Sequence, residues 1–439
     1  MSLFIYIIND GFNKVAVGMK SIIVQKFGGT SVADTNKIKE VAKAVIREKE
    51  NGNNVVVVVS AMGHTTDALI KLAKEITPEP SSRELDMLLS TGEGISIALL
   101  AMALQAQGCD AVSMNAMQVG IFTEKIHSKA RIVDIKTDKV VEHLKKNQVV
   151  VIAGFQGVTD DGEITTLGRG GSDTSAVALA GALKAKRCDI YTDVEGVYTT
   201  DPRVVPTATK LDQISYEEML ELAYSGANVL HPRSVEAASL SETPLRVRSS
   251  FNLDDNGTLI LGVDKMELNK PVTGVASDLS MLRVVVCDVE DKPGTAALLF
   301  DKLAEKNVSV DMIIQSYARK TLNTNDIAFT IDKADLSKTQ SLLEDLKSEL
   351  NYSNIFVDDN IAKISIVGAG MIGRPGIAAK MFRTLANLGI NIKMIATSEI
   401  KISCLVDSEQ ANEAVEALHS VFGLDSEEIA EVHGTLPNV

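Results

Sequence analysis

The chain has 439 residues, of which 45% are apolar and 23% charged, with a formal net charge of −14. That is material for two or three globular domains, too apolar for disorder and too acidic for a nucleic-acid or anionic-membrane surface. The four cysteines (Cys109, Cys188, Cys287, Cys404) and six histidines are scattered without ligand spacing, so no metal site is expected and a reducing, cytoplasmic compartment is.

Residues 1–20 lack the long apolar core and cleavage site of a secretory signal. They read as an extension, its opening Met1-Ser2-Leu3 like a cloning remnant, and carry no assigned function. Uninterrupted apolar runs reach only strand length, as in Val55–Val59, so no membrane span is expected. From residue 22 to about 260, strand-like runs alternate with helical patterns. Ile22–Gln25 is a short strand ending in Gly28-Gly29. Ile38, Val41, Ala42, Val45 and Ile46 then follow the spacing of an amphipathic helix. Val55–Val59 and Val149–Ala153 read as strands buried on both faces, and Cys188–Thr192 as another strand. Leu85–Gln105 reads as one long helix and Ser172–Lys184 as a second. Such alternation predicts a three-layer α/β domain.

The second half repeats itself. Residues 291–316 and 373–398 align without a gap at an offset of 82, with ten of 26 positions identical, among them a Pro-Gly pair. Each copy reads as β-α-β-β-α, a small ferredoxin-like module, and the offset is too long for a solenoid. Just before the second copy, Gly368-Ala369-Gly370-Met371-Ile372-Gly373 matches G-x-G-x-x-G after a strand. A dinucleotide site is set aside on three grounds. No acidic residue ends the next strand, too few residues follow to complete a cofactor domain, and the first copy shares the module without these glycines.

No G-x-x-x-x-G-K-[ST] run occurs, which excludes a P-loop. Glycine-rich turns stand instead at strand ends. In Lys26-Phe27-Gly28-Gly29-Thr30-Ser31, paired glycines let amides approach a polyphosphate and Lys26 supplies a charge, although a plain tight turn reads equally well. Ser60-Ala61-Met62-Gly63-His64-Thr65-Thr66 closes the second strand in the same way. Gly168-Arg169-Gly170-Gly171-Ser172-Asp173-Thr174 sets an arginine, whose fork suits a carboxylate, ahead of a helix N-terminus that favours anions. Asp173 also fits a first-turn acid complementing the helix dipole.

Together these stretches identify a family. Residues 26–34 (KFGGTSVAD), 59–63 (VSAMG), 90–93 (STGE), 153–157 (AGFQG), 165–174 (TTLGRGGSDT) and 191–203 (YTDVEGVYTTDPR) resemble aspartate kinases of the amino-acid kinase fold. The duplicated module resembles the tandem ACT domains of such enzymes. The resemblance implies a three-layer amino-acid kinase domain followed by two ferredoxin-like βαββαβ ACT modules. The boundaries expected are 21–265 for the kinase domain, 266–360 for a linker strand plus the first ACT module, and 361–439 for the second.

It further implies phosphorylation of the aspartate side-chain carboxylate, with ATP as co-substrate with Mg²⁺, as the first step toward lysine, threonine and methionine. The catalytic residues implied are Lys26, Asp173 and Lys210. Aspartate would be held by Arg169 on a carboxylate and Glu93 on the amino group, with Thr66 and Ser172 adding hydrogen bonds. The nucleotide would lie against Lys26, Gly28, Gly29, Ser60, Thr192, Asp193, Tyr198, Asp201 and Arg203. Asp291, Gly294, Gln315 and Asn391 are the effector contacts implied, for an inhibitory lysine or threonine, and module pairing would give a homodimer or homotetramer. Three alternatives stay open at the level of residues. Asp201-Pro202 forms turns on any fold, Glu93 also fits a solvated position, and His231-Pro232-Arg233 reads as structural. A catalytically inactive amino-acid sensor, or a kinase for glutamate or its acetylated form, would share the fold.

Overall fold

The computed structural model describes residues 20–262, 270–316 and 323–426; the extension at residues 1–19 lies outside them. Its largest element is an eight-stranded sheet. From one edge the order is Gln213–Ser215, Thr258–Leu261, Leu245–Ser249, Arg187–Thr192, Ile22–Phe27, Asn54–Val59, Val149–Ala153 and Ala111–Met114. All neighbours are parallel except Leu245–Ser249 with Thr258–Leu261. Every residue of Asn54–Val59 is buried, as expected of a β-branched run covered on both faces. Helices Thr35–Glu50 and Thr91–Ala106 cover one face with Ile38, Val41, Leu100 and Leu104. Gly171–Ala182, Tyr216–Tyr224 and Pro232–Leu240 cover the other with Val177, Met219 and Val235. The three layers expected from the alternation are therefore present.

The long helix expected over 85–105 is two, Ser82–Leu89 and Thr91–Ala106, meeting at Ser90. The combined 25-residue stretch is long and apolar enough to cross a membrane by composition. Here it packs into the domain core and carries two buried acids, Asp86 and Glu93. A small four-stranded sheet (Ile132–Ile135, Ile121–Thr123, Gln156–Val158, Ile164–Thr166) has strands too short to register in the sequence pattern.

Each module of the second half is a four-stranded antiparallel sheet with helices packed on it, Thr295–Glu305, Leu336–Asp345 and Lys347–Leu350 in the first and Ile377–Asn387 and Ala411–Val421 in the second. The first runs Val310–Gln315, Thr324–Asp332, Met281–Glu290, Asn354–Asp358, all its own strands. The second runs Gly274–Asp278, Ala362–Val367, Lys401–Val406, Met394–Thr397. Gly274–Asp278, assigned from sequence to the linker ahead of the first module, pairs with Ala362–Val367 from Gly274↔Val367 to Asp278↔Lys363. Ala362–Val367 leaves an open edge that its own downstream strands do not fill, and the upstream strand closes it. The first module is thus an insertion within the second.

The glycines of the G-x-G-x-x-G run serve this closure. A Cβ on Gly368 would lie 2.4 Å from the Pro271 carbonyl oxygen, and one on Gly370 2.3 Å from that of Lys270. They admit the linker backbone at a distance no side chain permits.

Candidate active site

The order of the large sheet reverses at Ile22–Phe27, which pairs with Asn54–Val59 on one side and Arg187–Thr192 on the other. At such a point the loops leaving the carboxyl ends of adjacent strands part and leave a crevice. Lys26 stands at that end, 9% exposed, with its Nζ 2.6 Å from Asp173 Oδ1 in the first turn of helix Gly171–Ala182. A Cβ on Gly28 would come within 3.4 Å of the same ammonium. On Gly29 it would meet the Ala61 and Gly63 carbonyl oxygens at 2.9 and 3.0 Å, while Gly63 N–H donates to Gly29 O. The first two glycine turns are therefore one packed unit, with half-buried Ser60 and Thr66 on its second strand end.

Glu93 is not solvated: it is 2% exposed, in the first turn of Thr91–Ala106. Its Oε1 accepts from Ala61 N–H at 3.0 Å, and its Oε2 is buried with no partner among the described residues. Burial pushes this carboxyl up to about 7, against the opposing effect of the amide hydrogen bonds. A buried oxygen left without a donor is costly, so this position suits a donor brought by a ligand. Gly92 beside it brings the helix onto Ala61, whose Cβ would be 2.9 Å from an added one.

The Gly168–Gly171 loop presents Arg169 to solvent, with no hydrogen bond or ion pair among the described residues. Gly168 and Gly170 have φ of 76° and 70°, which only glycine adopts without strain. Ser172, 8% exposed, packs on Gly154, whose added Cβ would lie 2.8 Å from its Oγ.

At the end of strand Arg187–Thr192, Thr192 Oγ1 donates to Asp193 Oδ1 at 3.0 Å. Gly196 leaves room for the Lys210 stem, and Tyr198 forms a β-bridge with Lys210. Lys210 Nζ pairs with Asp255. Burial acts to raise the Asp255 carboxyl, but the Lys210 and Gly257 hydrogen bonds hold it below the usual range. Asp201 and Arg203 pair with each other, Nε to Oδ1 at 2.9 Å, in a surface turn. The structure thus joins Lys26 with Asp173 and packs Glu93 onto the Ser60–Thr66 turn, while Lys210, Asp201 and Arg203 hold partners of their own.

Sequence reasoning missed two acids. Asp255 lies in an Asp-Asp-Asn-Gly turn that could have flagged it only as a loop. Asp86, fully buried, accepts from Thr166 N–H, Thr166 Oγ1 and Ser128 N–H at 3.1, 2.6 and 2.9 Å and so ties Ser82–Leu89 to the base of the Arg169 loop. Its only signal was its place among the leucines and methionine of Leu85–Leu89, in a helix that also carries Arg83 and Glu84. Among the described residues no three His, Cys, Asp or Glu side chains converge as a metal cage.

In the half with the duplicated modules, Asp291 Oδ1 accepts from Asn325 Nδ2 at 3.0 Å. Gly294, with φ of 98°, caps helix Thr295–Glu305, as Gly376 at 94° caps Ile377–Asn387. Gln315 and Asn391 are exposed, the first at the end of Val310–Gln315 and the second just ahead of Met394–Thr397. Met281, Met312, Met394 and Leu405 pack together as a core shared by the two modules.

Residues 21–249 match the amino acid kinase family, and residues 283–351 and 364–422 each match an ACT domain. An aspartokinase of Bacillus sp. (strain MGA3) is 53% identical over 92% of this chain and 97% of its own. Aspartokinase 2 of Bacillus subtilis is 52% identical over 92% and 98%. The E. coli aspartokinase III structure with aspartate and ADP, an R-state, superposes with a TM-score of 0.79 at 29% identity, covering 91% of this chain and 99% of that one. Its T-state structure with lysine and aspartate gives 0.72 at 30% identity, covering 92% and 99%. Fold, duplicated modules and full-length likeness agree, and the chain belongs to the aspartokinases, enzymes of the amino acid kinase family that carry ACT domains.

Proposed function

We propose that this enzyme transfers the terminal phosphoryl group of ATP to the side-chain carboxylate of L-aspartate, giving 4-phospho-L-aspartate and ADP. The observation that carries the reading is the near-buried Lys26–Asp173 pair beside a helix N-terminus, at the point where the sheet order reverses. An aspartate side chain ionises with a pKa of roughly 3.9, so the acceptor needs no general base near neutral pH. The obstacle is bringing one anion to another. Lys26, held in place by Asp173, meets the charge that passes to the leaving oxygen as the new bond to the carboxylate forms. The Gly171–Ala182 N-terminus and the Gly28–Gly29 amides add dipoles of the same sign. Arg169 takes a substrate carboxylate, and the unfilled Glu93 oxygen takes the α-ammonium. Thr66 and Ser172 complete the substrate contacts.

The base and phosphates lie against Ser60, Thr192, Asp193, Tyr198, Asp201 and Arg203, with Lys210 released from Asp255 toward them. Because the described residues offer no metal cage, Mg²⁺ fits as an ion carried by the nucleotide phosphates, whose charge it offsets. The modules take an inhibitory lysine or threonine near Asp291, Gly294, Gln315 and Asn391. Exposed Ile313 and Phe356 on the first module's sheet suit pairing with a second copy. ADP release with aspartate, glutamate and N-acetylglutamate, alongside hydroxylamine trapping of the acyl phosphate, tests the reaction. Turnover confined to aspartate is expected. ADP release with none of the three would leave an inactive sensor, and preference for glutamate would move the acceptor.

A further inference from the structure

We propose that the helical hairpin from Tyr216 to Leu240 couples the regulatory modules to the loop bearing Arg169, with His231 and Arg233 as positioning residues at its catalytic end. The inference rests on the reading of Arg169 as a partner of the aspartate carboxylate.

At the regulatory end, the second module grips one nine-residue helix at three heights. Near the N-terminus of Tyr216–Tyr224, Glu218 is 1% exposed. Its Oε2 closes a capping box with Ser215, and its Oε1 accepts from Ala369 N–H at 2.8 Å and Thr273 Oγ1 at 2.6 Å. Ala369 is the residue between the two close-packed glycines of the G-x-G-x-x-G run. Halfway along, Glu221 pairs with Lys401 at 2.7 Å. At the C-terminus, where carbonyls favour a cation, Lys363 Nζ donates to Tyr224 O at 3.1 Å. Lys363 is 3% exposed and also pairs with Asp311 of the first module at 2.6 Å. One ammonium thus touches the kinase domain and both modules. In the turn that follows, Gly226 has φ of 108° and no room for a Cβ, which would lie 2.1 Å from Ser277 O.

At the catalytic end, Tyr224 Oη donates to Glu236 at 2.6 Å and joins the first helix to the second. Pro232–Leu240 runs beside Gly171–Ala182 with glycine contacts at both ends. An added Cβ would stand 2.3 Å from the His231 ring at Gly170 and 2.8 Å from Ser241 Cβ at Gly181. Arg233 Nη1 donates to Leu167 O at 2.9 Å, two residues ahead of Arg169. With no slack at either end, a displacement of the second module moves the hairpin, and the hairpin moves the Arg169 backbone. The hairpin's own signal is accordingly read in aspartate affinity; the second module's contact with the stretch around Thr199, through Val275 N–H, is a separate one that these variants leave in place.

Kinetics of the full chain with Lys363→Met, Arg233→Lys and the double variant test this. Lys363 lies in the regulatory half and is assigned no substrate contact. Coupling of the usual size is expected to raise KM for aspartate roughly fivefold in Lys363→Met and about tenfold in Arg233→Lys. The double variant should stay within about twofold of Arg233→Lys, since both act through one element. KM for ATP should change less than about twofold throughout. An unchanged aspartate KM in Lys363→Met, effects that multiply, or equal rises in both KM values would each overturn the coupling. Lys401→Gln, which breaks a partly exposed pair, tests the same coupling at smaller amplitude where Lys363→Met fails to fold. Arg169→Lys separates the two readings. If its aspartate KM is unchanged the assignment of Arg169 fails, whereas a raised value there with a flat Lys363→Met sinks the coupling alone.

Discussion

Replacing Glu93 by glutamine removes one charge from the interior and leaves the shape almost unaltered. In the native chain Ala61 N–H satisfies Oε1 and nothing satisfies Oε2 among the described residues. Glutamine keeps the first hydrogen bond through its carbonyl and turns an amide toward the position proposed for the substrate ammonium, donor against donor. Loss of a charge-assisted hydrogen bond of about 1.5–3 kcal/mol raises KM for aspartate roughly ten- to a hundredfold, with KM for ATP unchanged. The pH dependence gives an independent readout. Burial sets the Glu93 carboxyl at about 7 against an ordinary 4.5. Only the ionised form pairs with an ammonium, so kcat/KM for aspartate should climb with pH through about 7, and the variant should lose that inflection.

Stability has the opposite sign. A folded-state value raised above the unfolded one gives stability that is fully present below 4.5 and is lost as pH rises through 7. The loss amounts to roughly 3 kcal/mol at pH 8. Glu93→Gln escapes it, and should therefore gain on the native chain in urea midpoint at pH 8 relative to pH 5. Initial-rate kinetics from pH 5.5 to 9 check the first two expectations. An inflection near 7 that survives in Glu93→Gln, or an unchanged aspartate KM, would refute the assignment.

Asp173→Asn leaves Lys26 without its counter-charge. Turnover should fall roughly a hundredfold through misplacement of the ammonium, while the pH profile keeps its form because no proton is abstracted. A new acid or base limb would contradict the organising role. Gly29→Ala drives a methyl against the Ala61 carbonyl oxygen at 2.9 Å, a cost of about 1–3 kcal/mol by urea unfolding, with a raised KM for ATP. His419 is wholly buried and its Nε2 meets Thr199 Oγ1 at 2.8 Å. Burial holds its pKa below 6.5, with Asp425 acting the other way. The unfolded chain binds the proton more readily, so this contribution is present above 6.5 and is lost as pH falls below it. Thermal midpoints at pH 7.5 and 5.5 should drop further in the native chain than in His419→Gln.

What was legible in the sequence was periodicity and glycine. Asn54–Val59 reads as a strand because five consecutive valines suit two covered faces and little else. The duplication reads because both modules start a helix from the same Pro-Gly, each with glycine at positive φ. Partners distant in the chain were not legible. Nothing near Lys26 indicates Asp173, 147 positions on, and nothing near Lys210 marks Asp255. Glu93 could be read as solvated because its burial comes from Ala61 on a different strand end. The glycines at 368 and 370 show how far a motif can mislead. Close approach of a backbone is what both a diphosphate and a neighbouring strand require, and only the fold says which arrives.

The placement of Gly274–Asp278 bears on how such a chain can be regulated at all. A module built from one continuous segment could hang from the kinase domain by a linker and move freely. Here the strand leaving the kinase domain is itself the edge of the second module's sheet, five residues in register with Ala362–Val367. Val275 N–H of that strand also donates to Thr199 O in the stretch proposed to hold the nucleotide, at 2.7 Å. Thr199 in turn faces His419 from the module's last helix. The second module therefore cannot shift without carrying kinase-domain backbone along, whereas the first, inserted between its strands, is free to bias it. An effector bound to the first module needs no long-range path to the catalytic domain, only a preference for one seating of the second, and Lys363 with its bond to Asp311 lies where the two modules would trade that preference.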